Sequence, residues 1–446
     1  MTFTEAQIQS LAPNPAAFSA GKKLSAMEQW QSFAQNDRAI WGSIKGSGSN
    51  PYLAQIDITA LAYKCTCPSR QFPCKHGIGL MLLYINHTAL FKNVPEPEWV
   101  TAWMDKRVAR EKKPVENERT EEEQEQLEKS REKTQQNRLS SVMAGAEELE
   151  LWLKDLVRIG LLELPNKTQS DFDRMAARMV DAKATGLGGW VKALGKLDYE
   201  DEAEWQRETL TILSKLFLLV RAIRNYETLS PLWQQTIRNL SGWSQSPKEL
   251  ITDGEAEAVK DQWLVVGQEV EVTEDDITIQ RNWLVGCTSN RQALVLNFGT
   301  KFSAIESTIL PGTVIEGEFV FFPSIWPQRG AFRIQRRVKN DLDTRPAAFE
   351  SWQHIHAYRV GQLKVYPWLN DIIVILKDAR VIKNSRQWIV CDAERCYMPV
   401  VSSYDFSRIL TWLAISGNRS MDMALVIRNN HVLPLGVFDD YNYNVL

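Results

Sequence analysis

The spacing of apolar residues shifts along this chain, and each shift marks a different kind of element. Between residues 39 and 67 apolar and polar side chains alternate. Ala39–Lys45, Tyr52–Ile58 and Ala62–Cys67 therefore read as strands, with Ala54, Ile56 and Ile58 on one face of the second. The turn "GSGSNP" joins the first two and makes the segment a small antiparallel meander. A helix is predicted ahead of it over Glu28–Asn36. Another follows the loop "PSRQFP", where Ile78, Met81, Leu82 and Ile85 recur at helical spacing and place the helix start close to Cys74–His76.

From Asp105 to Arg138 the pattern fades. Val108, Val115 and Leu127 are too sparse for a buried stripe, and charges of both signs are mixed, so this stretch reads as a solvated, partly helical linker. Helical periodicity returns at residue 139, with Leu149, Trp152, Leu153, Leu156 and Ile159 on one face. It continues through "DFDRMAARMVDAKATGLGGWVKAL" and "DEAEWQRETLTILSKLFLLVRAI", which predicts a helical bundle. From about residue 260 the period shortens to that of strands, in "WLVVGQEVEV", "VIEGEFVFFP" and "AFRIQRRV". Apolar runs split by polar turns then recur as β-hairpins through "DIIVILKDARVI" and "ALVIRNNHVLPLGVF", interrupted by a helix at "YDFSRILTWLAIS".

These elements predict an α+β multidomain protein. A small ββ(β)α domain occupies 1–104, a charged linker 105–138, a helical domain 139–255, and a β-rich region of one or two subdomains 256–446. A chain of 446 residues exceeds one ordinary core, which agrees with several domains. Its formal net charge of −3 gives no long-range positive field for nucleic acid or anionic lipid, so any basic site must be local. The N-terminus has no basic and apolar signal pattern, and no apolar run approaches a bilayer span, so a cytoplasmic location is expected.

That compartment changes the meaning of the cysteines. Cys65, Cys67, Cys74 and His76 fall within twelve positions of a chain holding 6 cysteines and 5 histidines. In reducing surroundings such clustering favours metal over a disulfide, and the added histidine disfavours simple buried thiols. Cys65 and Cys67 are two apart on a strand, so both thiols point to the same side. Cys74 and His76 stand at a loop entering a helix, and "PSRQFP" is long enough to fold one pair over the other. Three sulfurs and one imidazole suit tetrahedral Zn²⁺, and four protein ligands leave no open position, which predicts one structural zinc ion. Such sites contribute about 10 to 16 kcal/mol in zinc-finger peptides, so the first domain is expected to depend on its metal.

The pattern Cys-x-Cys, variable loop, Cys-x-His, with the preceding strands and the following apolar helix, resembles the SWIM zinc-finger family over about residues 38 to 90. The whole chain also resembles bacterial SWIM-containing proteins of similar length. The resemblance implies zinc binding with a role in DNA or protein contact, and association with MoxR-type AAA+ ATPases and von Willebrand factor A-type proteins.

Other candidates carry less. Cys391 and Cys396 flank "DAER" and face each other across a hairpin, where ordinary core thiols are favoured over a redox pair or a second metal site with Cys287, His354 or His356. "HIH" at 354–356 would put both imidazoles on one face of a strand but has no cysteine or carboxylate at ligand spacing, so it reads as a surface or core pair; "GLGG" at 186–189 reads as a helix break, and "EDD" at 274–276 as a solvated turn. No phosphate-binding loop, nucleophile elbow or HExxH helix appears, so the chain reads as a non-enzyme. The favoured function is a zinc-binding interaction or adaptor protein. The alternative is nucleic-acid binding through Lys64, Arg70 and Lys75 on phosphate with Phe72 stacking on a base. It would require a contiguous positive surface that also includes Lys22, Lys23, Arg38, Lys45 and Lys92.

Overall fold

A capping box starts the first helix: Thr4 accepts from the Gln7 backbone N–H, and the Gln7 side-chain oxygen accepts in turn from the Thr4 N–H, fixing the start of α1 (Glu5–Leu11). The computed structural model describes residues 4–446 except 14, 47–49, 60–61, 70–72, 113–120, 201–203, 244, 274–275, 301–304, 306–308, 338–341, 343 and 385–386. After α2 (Pro15–Lys22) come strands β1 (Trp30–Gln35), β2 (Ala39–Ile44), β3 (Tyr52–Asp57) and β4 (Ala62–Cys65), antiparallel and in the order β1-β2-β3-β4. Helix α3 (Lys75–Asn86) lies across one face of the sheet. Ile78 to Leu83 are all buried, apolar right round the helix as a central element must be. The other face of the sheet is covered by α4 (Glu98–Lys112), whose Val100 and Met104 pack on Ala34, Ala39 and Trp41.

The helix expected over Glu28–Asn36 is a strand. Trp30, Phe33 and Ala34 imitate helical spacing because the register of β1 shifts between Trp30 and Ser32, a bulge that reverses the side-chain parity. Trp30 thereby joins the core under α3, while Ala34 joins the one under α4. The meander accordingly has four strands rather than three. In the segment read as a linker, α4 extends to Lys112 and α5 (Glu121–Ile159) begins at Glu121, so helical backbone covers both ends of it.

Helix α5 packs with α6 (Gln169–Asp181), α7 (Thr185–Gly195), α8 (Trp205–Arg224) and α9 (Pro231–Leu240) around a core that includes Leu149, Leu153, Phe172, Leu187, Leu216 and Leu219. Ile159, expected on the buried face of α5, is exposed where the helix ends. "GLGG" is not a break but the first turns of α7. A Cβ on Gly186 would stand 2.1 Å from the Leu240 carbonyl oxygen, so glycine there lets the end of α9 approach the backbone of α7.

A short α10 (Pro247–Thr252) leads into β5 (Ala258–Val272), β6 (Ile277–Gly286), β7 (Gln292–Thr300), β8 (Val314–Phe321) and β9 (Gly330–Arg337). Their order is β7-β6-β5-β8-β9, and a parallel bridge between Leu294 and Arg329 brings the two edges together. The spatial run β8-β5-β6-β7 is a Greek key, and the whole is a five-stranded, partly open barrel of the OB type. Its interior holds Trp263, Val265, Leu284, Phe319 and Phe321. Then follow α11 (Trp352–Val365), β10 (Asp371–Lys383), β11 (Trp388–Cys391), β12 (Tyr397–Pro399), α12 (Phe406–Ser416), β13 (Met421–Arg428), β14 (His431–Asp439) and β15 (Asn442–Val445). These strands form a second sheet, β12-β11-β10-β13-β14-β15.

Alternation along β5, β10 and β13 joins the two sheets. Leu264 and Val266 meet Ile373, Ile375, Ala424 and Val426 in one core, while Ile372, Val374 and Leu425 turn the other way toward α11 and α12. The β-rich region is thus two sheets sharing a core. Among the described residues no helix is long and apolar enough to cross a membrane.

Candidate metal centre

Cys65 ends β4 and Cys67 lies two residues beyond it. The chain is held there by the Thr66 N–H, which donates to the Leu53 carbonyl, and by the Thr66 hydroxyl, which accepts from the Leu53 N–H. Cys74 is the N-cap of α3, its carbonyl accepting from the Ile78 N–H, and His76 sits in the helix's first turn. Sheet and helix are fixed together by the core beneath, where Tyr63, Ile78 and Met81 are buried. The strand pair and the helix pair are therefore brought together by the fold of the whole unit.

The ligand atoms of Cys65, Cys67, Cys74 and His76 all lie within 4.8 Å of one another. His76 Nδ1 stands 3.8 Å from Cys65 Sγ and 3.9 Å from Cys74 Sγ. Zinc bonds of tetrahedral length give an S···N edge of about 3.6 Å and an S···S edge of about 3.8 Å, so the donor set fits that ion with small adjustments. His76 and Cys74 are buried, Cys65 and Cys67 half-buried, and the Tyr52 ring lies 5.2 Å from the imidazole. These residues form a group able to hold one metal ion, with sulfur and nitrogen donors that favour zinc over calcium or magnesium.

The thiols hold their protons unequally. A hydrogen bond from Cys65 brings Cys74 down to about 4, helped by His76 and by the Gly77 backbone N–H, while the same bond and burial push Cys65 up. Cys67 is pushed up chiefly by burial. A thiolate at the start of α3 also gains from the helix dipole, so the site presents negative charge where a cation would enter.

Of the candidate nucleic-acid residues, Lys64 and Lys75 are exposed beside the cluster, while Arg70 and Phe72 lie outside the described residues. Part of the wider basic set is neutralised. Lys22 bonds Glu5 at 2.5 Å, and Arg38 bonds Glu96 through two nitrogens at 2.5 Å each. The remaining soft residues do not assemble a second soft-ligand site among the described residues. "HIH" lies on α11 rather than on a strand, which sends His354 and His356 to different sides, and His354 Nδ1 is 3.1 Å from the Ser351 hydroxyl. Cys287, Cys391 and Cys396 are free thiols; burial pushes Cys287 up to about 12. Sequence reasoning passed over one group, Asp392, Glu394 and Cys396, at the β11–β12 turn. There the Asp392 carboxylate already accepts from the Trp352 and Cys396 backbone N–H groups, which makes it a brace for that turn.

Three sulfurs and one imidazole, fixed by a strand end and a helix start, make a four-donor site of the zinc-finger class in which protein atoms fill the coordination shell. More particularly, residues 55–85 match the family model for the SWIM zinc finger, and residues 137–241 match that for the SWIM-associated four-helix bundle domain. Comparison with curated proteins and with solved structures returns no match.

Proposed function

We propose that this chain is a non-catalytic, zinc-dependent interaction protein in which Cys65, Cys67, Cys74 and His76 hold one structural Zn²⁺. The observation that carries the reading is the convergence of four donors within 4.8 Å, a set that fills a tetrahedron and leaves no position for water or substrate. In this reading a finger unit over 1–104 is joined through the charged stretch 105–138 to helical and β-rich units that offer surface for partners. A reducing compartment, the cytoplasm, keeps the thiols available to metal. A MoxR-type AAA+ ATPase or a von Willebrand factor A-type protein is the partner the family resemblance suggests.

A nucleic-acid reading has one observation in its favour, since OB-type barrels bind oligonucleotides across their second and third strands. Here those strands are β6 and β7, and their Trp283, Val285 and Leu294 are packed under the second sheet. With Lys22 and Arg38 also ion-paired, the interaction reading stands ahead.

The test takes the full chain with its zinc quantified. It measures binding to a purified MoxR-type ATPase, a von Willebrand factor A-type protein, and single- and double-stranded nucleic acid across a salt series. Protein binding that disappears on chelation supports the proposal. Nucleic-acid binding that falls steeply with salt and weakens in Lys64→Ala and Lys75→Ala would replace it with the second reading.

A further inference from the structure

Helix α8 carries large apolar residues on more than its buried side. Leu213, Leu216, Leu219, Val220 and Ile223 fill the bundle core, yet Leu210, Phe217 and Leu218 stand outside it at 54%, 41% and 46% exposure. A helix face meant for solvent alone would be polar there. Leu210 and Leu218 line a shallow pocket of about 380 Å³, with Pro367 adding to its apolar wall and Arg207 and Lys215 at its polar side. Their separation of eight residues is two helical turns, the span over which one helix reads another.

The charges around this pocket are unbalanced. Lys215 Nζ is held by neutral acceptors, the Asn370 side-chain oxygen at 3.1 Å and the Leu369 carbonyl at 3.4 Å, and lies 5.7 Å over the Trp190 ring. Arg359, from α11, meets the neutral amide of Asn430. Among the described residues no carboxylate lies within ion-pair reach of Lys215 or Arg359, whereas Arg207 is bonded to Glu204. Burial brings Lys215 down to about 8, and the other charge acting on it is a second cation, Arg359. Two partly desolvated cations with no anion between them cost free energy that a bound carboxylate would recover.

We propose that this face of α8 is a docking site for an acidic amphipathic helix of a partner protein, with one large apolar side chain entering the pocket and carboxylates meeting Lys215 and Arg359. The assignment rests on the interaction reading above and names the surface and the partner's chemistry. A small inorganic anion would answer the cations but leave Leu210 and Leu218 in water. An acidic helix answers both, and an apolar anchor ringed by charge-assisted bonds is the common form of a binding hot spot.

The experiment selects a display library of random peptides on the zinc-loaded full chain. The expected binders carry Leu or Phe at helical spacing among Asp and Glu. A labelled binder should lose at least about tenfold in affinity in Lys215→Gln/Arg359→Gln, and again in Leu218→Ser, with melting temperature and zinc content unchanged. Changing the peptide's Glu to Gln should cost little on the doubly substituted chain, which ties those carboxylates to those cations. Enriched peptides that are neutral or basic would overturn the proposal, as would displacement of the peptide by inorganic phosphate alone. Lys215-dependent self-association of the chain would give the face to a second copy and overturn it likewise. Peptide binding indifferent to the substitutions would remove this surface and leave the interaction reading standing. No enrichment at all would overturn the proposal and leave the interaction reading to the binding test with folded partners.

Discussion

Cys65 Sγ and His76 Nδ1 lie 3.8 Å apart, one at the end of β4 and the other in the first turn of α3. Neither element could hold its pair of donors in place alone. The strand is four residues long, and the helix start is fixed only because Ile78, Met81 and Leu82 are buried against the sheet. Metal capture and packing of this unit are therefore coupled events, each completing what the other leaves open.

Zinc removal should unfold the N-terminal unit selectively. Cys65→Ala or His76→Ala leaves three donors, and the expected result is loss of stoichiometric zinc with proteolytic opening of the sheet, while the bundle core around Leu187 and Leu216 stays protected. Metal analysis and hydrogen exchange check this. Comparable loss of protection in α5 to α9 would mean that the finger and the bundle do not fold independently.

Acid should loosen the same unit through Glu96. The Arg38 guanidinium beside it holds its carboxyl below the ordinary range, with the Asn36 side-chain amide adding a bond at 2.8 Å. Because the native value is depressed, this stabilisation is present above the unfolded value of about 4.3 and is lost as pH falls through the native one. Glu96→Gln should remove that part of the acid sensitivity and lower stability at neutral pH. Denaturation of both zinc-loaded chains at neutral pH measures the loss of stability, and the difference between their profiles as pH falls, taken with zinc content at each pH because acid also protonates the metal donors, isolates Glu96; identical profiles would show that the pair contributes nothing.

What the residues made legible follows from how local the signal is. The metal set could be read because two donor pairs with i, i+2 spacing are a short-range pattern, and the bundle and hairpins because their periods persist over many residues. Strand β1 was missed because its bulge is dictated by two different cores, under α3 and under α4. "GLGG" was misread because its reason lies about fifty residues away, at the Leu240 carbonyl. "HIH" has strand spacing, but Trp352 and Ile355 bury a helical stripe that decides its place. The Leu294–Arg329 bridge that brings the barrel edges together is a tertiary contact with no counterpart in local spacing.

Two glycines of α7 should respond oppositely to alanine. At Gly186 the new Cβ meets the Leu240 carbonyl oxygen at 2.1 Å and the Gly242 nitrogen at 2.9 Å, atoms of the backbone that cannot rotate aside. Overpacking of this kind costs about 1 to 3 kcal/mol. Nothing lies within 4 Å of a Cβ on Gly189, so alanine there restores helix propensity and should stabilise by about 0.4 to 1 kcal/mol. Urea titrations of both variants supply the comparison, and effects of the same sign would refute the packing argument.

Arg428 ties the barrel to the second sheet. From β13 it bonds both oxygens of Asp371, at 3.0 and 2.9 Å, and both oxygens of Glu269 on β5, at 3.2 and 2.9 Å; Asp371 is the largest influence holding the guanidinium charged. Arg428→Ala leaves two carboxylates facing each other, with Arg281 still 3.7 Å from Glu269. All three side chains keep some contact with water, so the cost is discounted to about 1 to 2 kcal/mol from the range for charged hydrogen bonds. If the latch acts through charge, adding Asp371→Asn and Glu269→Gln to Arg428→Ala should recover part of that loss, since the repulsion goes with the carboxylates. Recovery in equilibrium denaturation would identify the arginine as a counter-ion at the junction of the two sheets. A further, additive loss would show instead that the carboxylates stabilise the junction on their own account and that Arg428 works there by packing.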